Sequence, residues 1–91
     1  MIRALVLYSE EPDPARYAQH VELCLKVPNS VFRHGPVTRT IVGGEQAYYA
    51  EFEFPDAEAF KAAASSEEFA ACGADAEEMG YPRSIYFADV G

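Results

Sequence analysis

The chain has 91 residues, enough for one domain with one hydrophobic core, and a domain of that size buries only about two-thirds of its unfolded surface. Fifteen acidic against seven basic residues leave a formal charge of −8, a surface that repels nucleic-acid phosphates and anionic headgroups and so excludes nucleic-acid binding. A hydrophobic share of 49% with six Tyr and six Phe excludes disorder.

In chain order, residues 2–8 (IRALVLY) form a short run of strand formers and predict a first strand. Residues 9–14 carry two prolines and three acids and predict a loop. Asp13 is placed as the N-cap of a first helix and Pro14 at its first position, where the missing N–H costs nothing. Tyr17, Val21, Cys24 and Leu25 recur on one apolar face, which carries the helix to about Lys26 before Pro28 forbids its continuation. Residues 30–42 read as a second strand interrupted at Gly35-Pro36, and Gly43-Gly44 supplies a turn. Residues 47–54 alternate with period two: Tyr48, Ala50, Phe52 and Phe54 on one face, Tyr49, Glu51 and Glu53 on the other. Asp56 then caps a second helix with Phe60, Ala63 and Ala64 inward. A capping box from Ser65 to Glu68 restarts or bends that helix. Phe69, Cys72, Ala76 and Met79 continue the apolar stripe, Gly80 and Pro82 end it, and residues 84–90 form the last strand.

The order β-α-β-β-α-β is the split βαβ pattern of an α+β, ferredoxin-like fold, with an antiparallel four-stranded sheet covered by helices on one face. One domain spans residues 1–91. The other sheet face carries large apolar residues that nothing within the chain can cover, which implies a homodimer. Cys24 and Cys72 have no zinc or redox spacing and read as buried thiols in separate helices. No window approaches the roughly 18 apolar residues of a membrane span. The first residues lack a charged stretch before a long apolar run, so neither a signal peptide nor a membrane partner is expected, and a cytoplasmic location is.

The stretch His20-Val21-Glu22-Leu23-Cys24-Leu25-Lys26-Val27-Pro28 is similar to the H-V-P-L-x-x-K-x-P pattern of the ethyl tert-butyl ether degradation (EthD) family of dimeric α/β barrel proteins. Gly43-Gly44, Ala50-Glu51-Phe52, the segment from Asp56 to Phe60 and the tail from Tyr86 to Val90 also resemble that family, in the same order and spacing. Glu22 stands where the family has Pro and Asn29 where it has Gly, and residues 77–83 have little likeness to it. The resemblance implies a homodimer with sheets packed face to face and a small cavity between sheet and helices in each subunit. The wider superfamily includes cofactor-free monooxygenases, cyclases, isomerases and haem enzymes, and the family name suggests ether breakdown, so the fold alone does not choose a reaction.

On that footing His20 is the candidate general base, titrating near neutral pH on the cavity side of its helix. Tyr17 and Cys24 share its face, and Tyr8 stands at the end of the first strand. A histidine between tyrosines can take a proton from an enolisable or phenolic ligand. The plainer alternative is a partly buried histidine bonded to a backbone carbonyl. His34 reads as a surface residue, and Tyr48, Tyr49 and Tyr86 as core or interface aromatics. Glu51 and Glu53 point the same way, either as a solvated or interfacial pair or with one raised-pKa base between them. No HxH, HxxxH or HxxEH spacing, no haem motif, no G-x-G-x-x-G and no P-loop occur, so no metal and no cofactor are expected. Two functional readings follow: cofactor-free acid–base chemistry on a small aromatic or apolar molecule, or a non-catalytic ligand-binding or accessory subunit.

Overall fold

The computed structural model describes residues 1–91. Its elements are β1 (Ile2–Tyr8), α1 (Pro14–Cys24), β2 (Val31–Pro36), β3 (Tyr48–Phe54), α2 (Ala57–Ala64), α3 (Glu67–Met79) and β4 (Arg83–Asp89). The sheet runs β2-β3-β1-β4, with every neighbouring pair antiparallel. This is the expected ferredoxin-like order, with the two central strands first and third in sequence.

Register decides the faces, because side chains alternate along each strand. Ala4 pairs with Phe52 and with Phe87, and Val6 with Ala50 and with Ile85, so these residues share the side of the sheet that faces the helices, with Ile85 and Phe87 on the edge strand left exposed. Phe32 joins them opposite Phe52. Ala4, Phe52 and Phe54 form the main core with Cys24 and Val27 after α1, Ala63 of α2 and Cys72 of α3. A second core at the other end joins Tyr8, Tyr17 and Ala50. The opposite sheet face displays Leu5, Leu7, Tyr49, Glu51 and Tyr86 in register, without helix cover.

Local chemistry explains the ends. Asp13 accepts a hydrogen bond from the Arg16 N–H and Asp56 from the Ala59 N–H, as N-caps do. α1 stops at Cys24 rather than Lys26. The last turn tightens into i→i+3 bonds, from Lys26 N–H to the Leu23 carbonyl and Val27 N–H to the Cys24 carbonyl, because Pro28 bars its preceding residue from the α conformation. The expected second helix is two, α2 and α3. The cap of α3 is Ser66, one residue later than the sequence pattern indicates: its hydroxyl oxygen accepts from the Phe69 N–H. Ser65 instead donates to the Lys61 carbonyl and closes α2. β2 ends at Pro36, six residues before the expected Val42, since proline cannot donate to a ladder; Ile41 and Val42 are exposed in the loop. Gly80 ends α3 at φ +68°, a left-handed cap. No helix is long and apolar enough to cross a membrane.

Candidate functional site

A cavity of about 270 Å³ lies between the β1–β4 half of the sheet and α3. It exists because small residues face one another: Ala4 on β1 stands opposite Gly73 and Ala76 on α3. A Cβ added to Gly73 would meet nothing within 4 Å. Val6, Phe52, Phe69, Ile85 and Phe87 complete an apolar wall. The polar groups at its margin are Tyr8, His20, Cys72 and Arg83.

His20 is only 4% exposed. Its Nδ1 lies 2.8 Å from Asp75 Oδ2 on α3, so the sequence alternative of a bond to backbone carbonyl is replaced by a carboxylate. Arg16, one turn before His20, grips the same carboxylate at both oxygens, at 2.6 and 3.2 Å. That guanidinium holds the Asp75 carboxyl below its usual range, with the His20 bond adding to the effect. Burial lowers the His20 pKa, and the Asp75 carboxylate only partly opposes it. At neutral pH the pair is therefore a neutral imidazole beside an ionised carboxylate. The Nδ1–H donates to Asp75, and Nε2 keeps the free lone pair. The arrangement orients the imidazole as the Asp–His part of a hydrolase triad does.

Tyr8 lines the cavity and is buried, and burial raises its pKa. Its hydroxyl lies 3.3 Å from that of Tyr17, with the rings edge to face at 5.6 Å. Tyr17 packs on the His20 ring at 5.4 Å but faces a neighbouring groove with His34 and Tyr48. Burial pushes its pKa up, and the bond to Tyr8 adds to this, so both hydroxyls stay protonated at neutral pH. His34 is exposed as expected, yet its Nδ1 contacts the Tyr48 hydroxyl at 2.7 Å and its ring stacks on Phe32.

Glu51 lies on the opposite sheet face, away from the cavity. Tyr49 donates to one of its oxygens and Arg33 to the other at 2.8 Å. The Tyr49 bond, followed by that from Arg33, lowers the Glu51 pKa, so Glu51 is not the raised-pKa base that the sequence allowed. Burial, and then the same carboxylate, push Tyr49 up to about 12.

The cysteines are closer than their separation in sequence suggests. Both are buried and free, and their sulfurs are 3.2 Å apart across α1 and α3. The neighbouring Cys72 sulfur and burial push the Cys24 thiol above its ordinary value. His20, Cys24 and Cys72 offer donor atoms within 4.8 Å of one another. Two sulfurs on a tetrahedral zinc at about 2.3 Å would stand about 3.8 Å apart, so the present spacing suits a thiol pair in contact and not a formed metal site.

Asp75, Arg16 and Arg83 are site residues that the sequence reading missed. A signal existed for Asp75, an acid set directly beside the apolar stripe of α3, three residues after Cys72. Arg16 stands four residues before His20 on the same helix face. Nothing in the sequence marked Arg83.

No family model and no curated protein matches the chain. Solved structures do. An EthD family protein from Bacillus halodurans C-125 superposes with a TM-score of 0.82 at 19% identity, over 100% of this chain and 99% of that one. A dimeric ferredoxin-like protein of unknown function from Jannaschia sp. CCS1 gives 0.73 at 20% identity, over 98% of each chain. A cofactor-independent oxygenase from Streptomyces nogalater gives 0.64 at 15% identity, over 98% of this chain and 91% of that one. The chain thus shares the ferredoxin-like fold of these proteins, an EthD family protein among them.

Proposed function

We propose that this protein takes up a small aromatic or otherwise apolar molecule in the cavity beneath α3 and that His20, oriented by Asp75, removes a proton from it. The observation that carries the reading is the buried His20–Asp75 contact at 2.8 Å on the wall of an otherwise apolar cavity. Apolar surroundings strengthen the polar contact that the buried His20 ring makes. An imidazole kept neutral there is in the form a base requires. Tyr8 shapes the polar end of the cavity, and Tyr17 positions Tyr8 through the hydroxyl contact. No step in this chemistry requires a metal or cofactor. A cofactor-independent oxygenase is among the similar structures, which supports a reading without a cofactor. The functional unit is a homodimer, supported by the uncovered sheet face and by the dimeric Jannaschia protein.

The test is hydrogen–deuterium exchange at the α-carbon of an enolisable aryl ketone, followed by NMR. His20→Ala is expected to lower the rate by about 10² or more, with folding retained by circular dichroism. Asp75→Asn should lower it less, since it leaves the imidazole present but misoriented. Equal rates for wild type and His20→Ala would refute the base. If the ketone still binds in that case, the protein is a ligand-binding or accessory subunit.

A further inference from the structure

Arg83 opens β4 and lines the cavity, in register opposite Tyr8. Its side chain is 18% exposed, and Nη2 donates to the exposed Glu77 at 2.7 Å. Its Nε–H is buried and has no acceptor in the protein. A buried donor without a partner is unusual and unfavourable, because it has lost its water and gained nothing. Since Arg83 lines the space into which a ligand would fit, the ligand can supply that acceptor.

The geometry also restricts the acceptor. A carboxylate takes two parallel bonds from a guanidinium edge. At Arg83 the nitrogen on that edge already donates to Glu77. Of the five N–H groups, the one that is buried without an acceptor is Nε–H, which offers one bond to one oxygen. Arg83, His20 and Tyr8 line the same cavity, so the oxygen site and the base share one space. We infer that the cavity takes a compact ligand with a single carbonyl or phenolic oxygen, which accepts from Arg83 Nε–H while its apolar body lies against Phe52, Phe69 and Phe87.

This inference rests on the cavity reading above and adds the oxygen-binding residue. When His20 takes a proton from the carbon next to a carbonyl, the C–H electron pair moves to the oxygen and an enolate forms. The positive charge of Arg83 then meets the developing negative charge. For a phenol, the O–H pair stays on oxygen and the product is a phenolate at the same place.

The test uses 4-nitrophenol, whose phenolate absorbs visible light, with benzoate as the carboxylate control. Wild type is expected to bind the phenol with a larger phenolate fraction than free solution at the same pH, and to bind benzoate more weakly. Arg83→Gln and Arg83→Lys both remove the Nε donor, and each should weaken phenolate binding about tenfold or more. Glu77→Gln should strengthen it by relieving the guanidinium of its counter-charge. Gly73→Leu, which fills the cavity, should abolish binding. If Gly73→Leu abolishes binding but both Arg83 variants bind as wild type does, the Arg83 inference fails and the cavity reading stands. If wild type prefers benzoate, the single-oxygen ligand is wrong. If no variant alters binding, the phenol sits elsewhere and both readings fail.

Discussion

His20 and Asp75 make the fold sensitive to acid. The folded His20 pKa is lowered by burial, so below the ordinary histidine value of about 6.5 the unfolded chain binds a proton that the folded chain refuses. Stability conferred by the neutral ring is therefore lost as pH falls from about 6.5 toward the folded value. Asp75, held low first by Arg16, contributes with the same sign in a lower window. Its share is present above the ordinary aspartate value of about 3.9 and is lost as pH falls through the depressed one. The melting temperature is expected to drop between pH 7 and pH 5, and His20→Gln should flatten that drop. Net charge works the other way, because acid relieves the repulsion of an eight-fold negative chain. An unchanged slope in His20→Gln would show that the ring does not govern the response.

At the scale of the element, α3 does two things that conflict. As a helix it is weakened by Gly73 at its centre, where glycine costs about 1 kcal/mol relative to alanine. As a cavity wall it needs small residues there. Gly73→Ala removes the helix penalty, and its Cβ enters open space. It should raise stability by about 0.5–1 kcal/mol and the melting temperature by about 4–8 °C per kcal/mol. A fall in melting temperature would mean that the space is already filled by a shifted neighbour. Helix α1 is under a different constraint. Its face must carry Arg16 and His20 toward Asp75 and also Tyr17 toward Tyr8, which leaves Cys24 to meet Cys72 at its end. Partners of that kind hold α1 against α3.

On the whole molecule, the bare sheet face mixes apolar side chains with a charge network. Tyr86 is 55% exposed there, and Arg3 and Arg33 bridge Glu53. Arg3 Nε is buried without an acceptor in this chain. Covering this face with its own copy would bury Leu5, Leu7 and Tyr86 and place polar groups opposite polar groups. Light scattering after gel filtration is expected to give about 20 kDa, twice the 10.0 kDa chain. Tyr86→Glu should shift the protein toward 10.0 kDa. A wild-type monomer at micromolar concentration would remove the homodimer from the proposal.

Sequence alone determined the element order, the two faces of β3 and the helix starts at Asp13 and Asp56, because periodicity and capping are local properties. It singled out His20 and Tyr8, which do line the cavity, and Tyr17, which stands behind Tyr8 in the next groove. The offset of the third cap from Ser65 to Ser66 and the early end of β2 were decided by competition between neighbouring groups, which a pattern of residue types does not rank. Tertiary structure alone decided the site's chemistry. Asp75 lies 55 residues from His20 in sequence, and Cys24 lies 48 from Cys72. The packing of α1 on α3 brings each pair into contact. Arg83 reaches the cavity only because β4 returns beside β1 and sets it opposite Tyr8. Burial, which lowers the His20 pKa and strips water from the Arg83 Nε–H, is a property of the assembled layers. No residue carries it along the chain.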